Sequence, residues 1–431
     1  MVERFRRRLR VIHSISRRGV LELGVVGAGT LLAGCHTHDD DRLIWWGMGA
    51  QGENAPKLLP RFQAATGITV DVQSLPWTGI HEKLLSATVG GSLPDVMLLA
   101  NTWVPELTML RALAIVPDSH HGLLSGKFSS SVGAVTIDGA AMAAPWTVDS
   151  WVQYYRRDLL AEIGYSAPPA RWDEWTRMAT SYKRRNPDKF VTLHLLNWPE
   201  PLLNFGAQTG EPLLRDHAAR GNFSSAGFRV ALAFYKSIYD AKFSPKVTGV
   251  EAGDTILDFT RGYYAILPAN SETMGQLRRP VYSFPTELWN TAATPSPTGM
   301  EGVLASGNCL GVSRTSKAPE HAWALVDHLC SVSTQLQFHN LTGDLPSQRA
   351  AWAAPQLARS RPEQGFANAI ASGVVGPSVP ESARISSEIQ LVAEHMVRGE
   401  YGVDDAAAEM DRRVNGILIK RRQLLDKGLI S

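Results

Sequence analysis

The stretch RLIWWGMGAQGENAPKLLPRFQAATGITVDV, residues 42–72, decides the fold class, because it predicts a strand, a helix and a second strand in succession. The apolar run 43–46 ends at Gly47, which is typical of a buried strand that enters a turn. Residues 68–77 alternate between apolar and polar side chains, as a strand does. Between the two strands, Gly67 suits a helix C-terminal cap, and one helical face carries Leu58, Leu59, Phe62 and Ala65.

The same alternation of strands and helices continues along the chain. IHEKLLSATVGG, residues 80–91, predicts a helix with a glycine stop, and PDVMLLA, residues 94–100, predicts a continuous apolar strand. The rhythm breaks at a hairpin centred on Asp138-Gly139, and the Pro- and Thr-rich stretch 291–299 predicts a connector. We therefore expect an α/β fold in which mostly parallel sheets are flanked by helices.

The N-terminal segment predicts an export signal. SRRGVLELGVVGAGTLLAGC, residues 16–35, contains an apolar run from 20 to 32 that is too short to cross a bilayer. Seven arginines precede this run, and Arg17-Arg18 resembles the twin-arginine type of signal. The alternative is an ordinary buried helix. We expect residues 1–34 to be a signal peptide that is removed on export.

The end of this signal predicts a lipid anchor. Leu32-Ala33-Gly34-Cys35 resembles the bacterial lipobox, in which the enzyme cuts before the cysteine and lipid is attached to its sulfur. Cys35 is therefore the expected lipidation site. Residues 35–41 would form a lipid-anchored tether on a membrane of the cell envelope or periplasm.

Removal of the signal changes the charge balance of the chain. Residues 1–34 hold seven of the 43 basic and two of the 41 acidic residues, which leaves a net charge of about −3. A mildly acidic exported chain gives no electrostatic reason to bind nucleic acid. The other cysteines, Cys309 and Cys330, can pair in an oxidising envelope or remain as buried thiols. No spacing of Cys and His is typical of a metal site, and we expect no cofactor.

Four segments together carry a resemblance to a known family. They are LIWWGMG to ITVDV, KLLSATVGGSLPDVMLLANTWVPELTMLRAL, FTRGYYAILPAN, and GVLASGNCLGVSRTSKAPEHAWALVDHLCSVSTQLQFHNLTGDLPSQRAAW. In their order and spacing they are similar to the extracellular solute-binding proteins (family 1) of ABC importers, in the branch that includes maltose-binding and other sugar-binding proteins. The last segment, which resembles the one that recrosses the hinge, is the most specific.

The resemblance implies a two-lobed, periplasmic-binding-protein-like fold of type II with the ligand cleft between the lobes. Lobe 1 would combine residues 42–148 and 298–341, and lobe 2 would combine residues 149–297 and 342–431. Several crossing segments would join the lobes. The implied partners are the permease subunits of an ABC importer, and we expect the chain to act as a monomer.

Ligands of open α/β sheets bind beyond the carboxyl ends of the strands, and this rule selects candidate residues without help from the family. The residues that follow the predicted strands are tryptophans beside amide, carboxyl and hydroxyl side chains. The candidate ligand-binding residues are Trp46, Gln51, Asn101, Trp103, Asp149, Trp151, Trp198, Asn270 and Asn308.

This mixture of side chains suits a carbohydrate. An indole face packs on the apolar CH face of a sugar, and amide and carboxylate groups bond its rim of hydroxyls. A carboxylate or phosphate ligand would instead require a cluster of arginines, although Arg261 and Arg349 lie near enough in sequence to weaken that argument.

Each candidate also has a structural explanation. Trp45 and Trp46 point to opposite faces of a strand, so at most one of them faces a cleft. Asn101 can cap the following helix, and Asp149 can be a hydrogen-bonding residue of the hinge. Asp344 resembles a family position near the cleft, but it also suits a local turn.

The sequence thus predicts a binding protein that captures a carbohydrate by closure of its lobes, and not an enzyme. The alternatives are a binder of a glycerophosphodiester, polyamine or peptide, and an envelope glycosidase. A glycosidase needs a pair of carboxylates about 5–10 Å apart, for which Asp149 and Glu272 are imaginable partners that no motif ties together. No G-x-S-x-G serine elbow is present in the sequence.

Overall fold

The computed structural model describes residues 42–282, 284–299, 304, 306–428 and 430. The predicted signal peptide 1–34, the tether 35–41 and the lipidation site Cys35 lie outside the described residues. The description below therefore concerns the part of the chain that begins at Arg42.

The strands are short and lie at intervals along the whole described chain. In chain order they are β1 (Arg42–Met48), β2 (Thr69–Leu75), β3 (Val96–Ala100), β4 (Thr136–Ile137), β5 (Ala140–Ala141), β6 (Ala144–Pro145), β7 (Thr147–Val148), β8 (Val152–Arg156), β9 (Phe190–Thr192), β10 (Leu214–Arg215), β11 (Arg220–Gly221), β12 (Tyr264–Ala269), β13 (Trp289–Ala293), β14 (Asn308–Val312) and β15 (Leu345–Pro346).

Helices separate most of these strands and form the whole C-terminal region. They are α1 (Gly49–Asn54), α2 (Pro60–Thr66), α3 (Ile80–Gly90), α4 (Val104–Met109), α5 (Ser129–Val135), α6 (Arg157–Ala161), α7 (Trp172–Arg185), α8 (Glu200–Ala207), α9 (Ala226–Asp240), α10 (Gly249–Ala252), α11 (Thr255–Thr260), α12 (Glu272–Leu277), α13 (Pro319–Cys330), α14 (Val332–Thr342), α15 (Pro355–Ala358), α16 (Arg361–Ala371), α17 (Ser382–Arg398), α18 (Val403–Ile417) and α19 (Ile419–Asp426). Single 3₁₀ turns occupy Ala55–Leu58, Asn101–Trp103, Asp118–Leu123, Thr286–Leu288 and Arg349–Ala353.

Two separate sheets organise the fold. A five-stranded sheet has the order β2-β1-β3-β14-β6, and a four-stranded sheet has the order β13-β8-β12-β9. The core on the first sheet is drawn from residues 43–146 and 309–338. The core on the second is drawn from residues 148–289 and 345–418. We call the first sheet with its core lobe 1 and the second lobe 2.

The expectation of mostly parallel sheets needs a correction. The pairs β1/β2, β1/β3 and β9/β12 are parallel. The pairs β3/β14, β6/β14, β8/β12 and β8/β13 are antiparallel. Strands β8 and β14 each enter a sheet directly after the chain has crossed between the lobes, so they run against their neighbours. Periodicity within a strand does not report this direction.

Three crossing segments join the lobes. The first contains β7 and Asp149, the second contains Ser306 and Gly307, and the third contains β15. These segments pair with one another. Strand β7 pairs with β15 in antiparallel orientation. Asp149 and Ser306 form an isolated antiparallel bridge, with backbone hydrogen bonds of 3.0 and 3.2 Å. Gly307 has φ +134°, and a Cβ atom there would lie 2.4 Å from the Thr147 carbonyl oxygen. Only glycine therefore allows the second crossing segment to approach the first so closely.

The structure confirms one local feature of the sequence prediction and corrects two others. Asp138 and Gly139 have φ values of +50° and +80° between β4 and β5, which confirms the hairpin. The connector predicted at 291–299 is wrong at its start, because β13 continues to Ala293. The helix predicted across residues 55–66 begins instead as a separate 3₁₀ turn, since Pro60 lacks the N–H that would continue it, and Ala65 is exposed.

Cys309 and Cys330 are both buried free thiols. Burial raises the pKa of each thiol, so neither is reactive in the folded chain. Among the described helices, none combines the length and the apolar character that a bilayer crossing requires.

Candidate functional site

The edge of the lobe 1 sheet that faces the crossing segments carries several of the predicted residues. The carboxyl ends of β1 and β3 and the amino end of β14 meet there, because β14 runs against β3 and Asn308 pairs with Ala100. The predicted residues at this edge are Gln51, Asn101, Trp103 and Asn308.

A chain of hydrogen bonds links this edge to the hinge. The Asn308 amide nitrogen donates to Gln51 Oε1 at 3.2 Å, and Gln51 Nε2 donates to Asp344 Oδ1 at 2.9 Å. Asn308 follows the second crossing segment, and Asp344 directly precedes the third. We call Gln51, Asp149, Asn308 and Asp344 the hinge cluster.

Asp149 holds the lobe 2 side of this cluster. Its Oδ1 atom accepts the backbone N–H groups of Ser150 at 2.8 Å and of Ser271 at 3.0 Å. Ser271 directly precedes α12, so the carboxylate ties the first crossing segment to the end of strand β12. The prediction that Asp149 can be a hinge hydrogen-bonder is confirmed by these contacts, and they use one of its two oxygens.

The two carboxyl groups of the hinge cluster lie in surroundings that disfavour their ionised forms. Burial raises the pKa of Asp149 to about 7, and the charge of Asp344 adds to this increase. Burial likewise raises the pKa of Asp344 to about 6, and the charge of Glu272 adds to it. A buried carboxyl group acquires a raised pKa when no cation lies close enough to stabilise its charge. The site is therefore unsuited to an anionic ligand and suited to hydrogen-bond donors.

Three aromatic rings lie at the lobe 1 edge. His81 stacks on Trp103 with ring centroids 5.1 Å apart, and Trp77 lies against the same indole at 5.8 Å. His81 Nε2 is 2.9 Å from Glu106 Oε2, which fixes the imidazole. Trp77 is 39% exposed and Trp103 is partly buried. This lobe 1 aromatic group offers apolar faces beside the hinge cluster.

A second pair of tryptophans lies at the facing edge of lobe 2. Trp151 follows the first crossing segment and meets Trp198 edge to face, with centroids 5.2 Å apart. Both side chains are partly buried. Asn270 lies at the carboxyl end of β12 at the same edge, where its backbone carbonyl accepts the Tyr154 hydroxyl. The predicted residues of lobe 2 thus lie at one edge of its sheet.

Two predicted residues are placed differently. Trp46 is buried, its indole N–H donates to Gln73 Oε1 at 3.0 Å, and Lys83 lies over its ring at 4.4 Å. Its polar atom is thus already used inside lobe 1. Asn101 makes no side-chain cap, and its Oδ1 atom is buried without a hydrogen-bond partner. An orphaned buried oxygen of this kind is available to a donor that enters from the cleft.

The lobes also meet at the segment that connects α16 to α17. Val375 lies against Gly133 of α5 so closely that a Cβ atom on Gly133 would approach Val375 Cγ2 to 3.2 Å. Helix α17 of lobe 2 lies close to the Asn101–Trp103 turn of lobe 1. We call residues 372–381, which connect α16 to α17, the latch segment. The described conformation therefore has the lobes in contact at the latch segment as well as at the crossing segments.

The sequence profile of the bacterial extracellular solute-binding proteins matches residues 57–361. The chain belongs to this family. The predictions of a solute-binding protein, of a two-lobed α/β fold and of a binding function without catalysis are confirmed by this membership and by the solved structures that the chain resembles.

Three relatives illustrate the likeness of this solute-binding protein. The sugar-binding protein MalE of Xanthomonas citri has a TM-score of 0.84 and 34% identity, over 89% of this chain and 99% of that one. The GacH receptor of Streptomyces glaucescens has a TM-score of 0.78 and 19% identity, over 88% and 98%. The diacetylchitobiose binding protein DasA of Streptomyces coelicolor is 21% identical over 95% of this chain and 100% of its own length.

Three further residues of the site were not among the candidate ligand-binding residues. Asp344 has a local-turn explanation, and its bond to Gln51 spans 293 positions, which no local pattern reveals. Ser150 and Ser271 donate their backbone N–H groups to Asp149, and the Ser150 hydroxyl oxygen is buried without a hydrogen-bond partner. The only available signal for them was their position after a predicted strand end.

The solute-binding protein shows no site for a metal in its described part, where no three or more His, Cys, Asp and Glu side chains group to hold one. Arg261, which weakened the sequence argument against anions, is exposed at the amino end of β12 and so lies at the far edge of the lobe 2 sheet.

Proposed function

We propose that this solute-binding protein captures an uncharged carbohydrate between its lobes and delivers it to the permease of an ABC importer. The observation that carries the proposal is the hinge cluster, whose two amide and two carboxyl groups accompany two sets of tryptophans at the sheet edges. Sugar hydroxyls can donate to such carboxyl groups without adding a charge, and the indoles cover the apolar ring faces.

The relatives support a sugar. The Xanthomonas citri relative, at 34% identity over most of both chains, is a sugar-binding protein, and the Streptomyces coelicolor relative is a diacetylchitobiose binding protein. The GacH structures include complexes with acarbose and an acarbose homolog. These ligands share saccharide chemistry, so the relatives favour a carbohydrate for this chain without selecting one.

The proposed mechanism is closure of two lobes on one ligand. The lobes comprise residues 42–148 with 298–341 and residues 149–297 with 342–431, and the separate cores of the two sheets support this division. A ligand that contacts both edges favours the closed form. A shift from mostly open to mostly closed requires about 5.5 kcal/mol of differential binding.

The site has enough contacts to supply this free energy. Burial of one apolar ring face contributes about 1.5–3 kcal/mol. Three hydrogen bonds contribute about 0.5–1.5 kcal/mol each. The proposed ligand contacts are Trp46, Gln51, Asn101, Trp103, Asp149, Trp151, Trp198, Asn270 and Asn308, to which the structure leads us to add Asp344. Among these we assign Trp46 the smallest share, because its N–H already bonds Gln73.

The delivery step rests on export and anchoring. We propose that residues 1–34 direct export, that lipid on Cys35 holds the chain to a membrane of the envelope, and that residues 35–41 act as the tether. The protein would then meet its permease as a monomer, with the closed lobes as the docking surface. Labelling of cells with radioactive fatty acid, with Cys35→Ser as the control, tests the anchor.

One observation favours a second candidate ligand. The raised pKa values of Asp149 and Asp344 also fit a cation, since an ammonium group beside aromatic rings would compensate both carboxyl groups. A polyamine is therefore the alternative that needs a direct comparison with sugars. The same carboxyl groups argue against a glycerophosphodiester, which would bring a negative charge to them.

A thermal-shift screen followed by calorimetry tests the proposal. The purified chain is heated with neutral mono- and oligosaccharides, uronic acids, sugar phosphates, peptides and spermidine. A saccharide present at 100 times its Kd is expected to stabilise the fold by about 2.7 kcal/mol. Saturable calorimetric binding of spermidine with no saccharide response would replace the sugar by a cation.

A further inference from the structure

A cavity inside lobe 2 opens beside the candidate site. The empty space at this point, about 370 Å³, includes open solvent at the mouth. Strands β9, β12 and β13 end there and strand β8 begins there, so it lies at the sheet edge that carries the Trp151–Trp198 pair. Its walls include Trp151, Gln153, His194, Asn204, Pro268 and Thr294. Trp151 and Thr294 are partly exposed, which places the mouth at the cleft.

Two polar side chains in the wall are left for an occupant. His194 is 4% exposed, and its Nδ1 atom is buried without a hydrogen-bond partner. Asn204 is 2% exposed, and its Oδ1 accepts the Leu304 backbone N–H at 2.9 Å, which leaves its NH₂ group as a donor. The Gln153 amide is already used, since it donates to the Ala293 carbonyl and accepts from the Trp175 indole.

The remainder of the wall is apolar and uncharged. It includes Phe205, Ile238 and Pro295, and among the described residues that line the cavity none is Asp, Glu, Lys or Arg. Burial lowers the pKa of His194 to about 3, so the imidazole is neutral at physiological pH. A charged group that entered this cavity would lose its hydration without gaining a counter-charge, which is strongly unfavourable.

We propose that this cavity is a side pocket of the cleft that seats an acetamido substituent of the ligand. An acetamido group combines a methyl group for the apolar wall with a carbonyl that accepts from Asn204 and an N–H group within the reach of His194. A hydroxymethyl group can bond both side chains through its one hydroxyl, but it brings no methyl group to the apolar wall. The assignment rests on the proposed carbohydrate function, because it places the ligand ring in the adjoining cleft.

The first test uses probes that do not depend on the sugar. Acetamide and acetate have the same shape and differ in charge, and each is titrated into the full chain with ligand-observed saturation-transfer NMR. We expect saturable binding of acetamide and none of acetate. Ile238→Phe fills the cavity and is expected to abolish the acetamide signal. Absence of acetamide binding to the unmodified chain, or equal binding of acetate, overturns the proposal.

The polar contact is tested by His194→Phe, which keeps an aromatic ring against Phe205 and Tyr235 and removes both ring nitrogens. We expect it to weaken acetamide binding at least fivefold. His120→Phe is the matched control, because His120 also stacks on an aromatic ring but lies in lobe 1 against Trp323. Should either lobe 2 variant fail to fold, the acetamide and acetate comparison on the unmodified chain still decides.

The second test uses two β-1,4-linked disaccharides, one of glucose and one of N-acetylglucosamine. We expect the acetylated disaccharide to bind at least tenfold more tightly, and Ile238→Phe to remove this preference while glucose disaccharide binding persists. Equal affinities in the unmodified chain overturn the side pocket and leave the proposed function intact. Binding of acetamide together with failure of every saccharide refutes the proposed function instead and leaves an acetamide-selective cavity.

Discussion

Two carboxyl groups, the partly buried Asp149 and the buried Glu363, differ in how their surroundings shift their pKa values. At Asp149 burial prevails, and the pKa rises to about 7. At Glu363 burial acts in the same direction, but nearby His339 and Arg278 and the hydrogen bond from Ser360 lower the pKa to about 2. Arg278 Nη2 lies 2.8 Å from Glu363 Oε1. The difference shows that Glu363 is a completed structural ion pair, whereas Asp149 has hydrogen-bond donors but no cationic partner in the described part of the chain.

The two carboxyl groups belong to one connected region. His339 Nδ1 lies 3.0 Å from the Asp344 carbonyl oxygen, and His339 Nε2 lies 3.6 Å from Glu363 Oε1. The turn that presents Asp344 to the hinge cluster is therefore held by a histidine that also contacts the ion pair. We infer that the ion pair positions the third crossing segment and that the hinge cluster is left open for the ligand.

The largest expected effect is the loss of the Glu363 partner. Arg278→Met should destabilise the fold by about 2 kcal/mol at pH 7, below the 3–5 kcal/mol of fully buried pairs because Arg278 is 38% exposed. The penalty should shrink near pH 4, where the unpaired Glu363 can take a proton. Urea unfolding at both pH values measures it. Arg177→Met, in an exposed pair with Asp173, is the control and should cost under about 0.5 kcal/mol. An equal loss of unfolding free energy in both variants would contradict the difference between the Glu363 ion pair and an exposed one.

The next substitution, Asp149→Asn, is expected to stabilise the fold instead of destabilising it. The folded pKa of Asp149 lies above its ordinary value of 3.8, so the folded chain binds a proton that the unfolded chain releases. Stability therefore falls as pH rises from about 4 to about 7. Asp149→Asn should raise the free energy of unfolding by about 1.5 kcal/mol at pH 8 and leave it nearly unchanged at pH 4.5. Chemical unfolding across this pH range measures the effect, and Asp173→Asn is the exposed control. Destabilisation of the fold by Asp149→Asn at pH 8 would disprove the account.

A smaller effect concerns protons released on binding. Sugar hydroxyls that donate to Asp149 and Asp344 stabilise their ionised forms, so both pKa values should fall when ligand binds. At pH 6.5 we expect release of about half a proton per ligand, measured by calorimetry in buffers of different ionisation enthalpy. Asp149→Asn should reduce this release, whereas Glu363, already ionised, should contribute nothing. Proton uptake on binding would mean that the ligand does not donate to these carboxyl groups.

The smallest expected effect tests whether ligand binding needs the contact between α5 and the latch segment. Gly133→Leu places a side chain against Val375 of the latch segment and should weaken ligand binding about threefold by favouring the open form. Gly416→Leu is the matched control, because Gly416 is also helical and a Cβ atom there meets nothing within 4 Å. Calorimetry measures the affinity of each variant. An equal loss of affinity in both would show that the latch segment does not contribute to ligand binding.

The comparison also shows how far the sequence leads. Apolar runs and turn residues predict β1, β3 and the Asp138-Gly139 hairpin, because their causes are local. The rule for strand ends selects Gln51, Asp149 and Asn308 as ligand contacts, and the structure places all three beside the crossing segments. The same rule selects both Trp46, whose indole N–H is used inside lobe 1, and Trp103, which lies in the lobe 1 aromatic group. It cannot tell them apart, because the alternation of side chains along a strand does not show which face of the sheet is buried. The direction of β8 and β14 and the partners of Asp344 and Glu363 depend on contacts between distant segments, which a single sequence does not reveal.

Small-angle X-ray scattering tests the central claim most directly. The claim is that a neutral sugar bridges the lobes at the hinge cluster and stabilises the closed form. Scattering from the chain without ligand, with a saccharide that calorimetry shows to bind, and with its uronic acid analogue gives three radii of gyration. The account predicts a smaller radius with the neutral sugar alone. An unchanged radius at saturating sugar, or an equal contraction with the uronic acid, would contradict it.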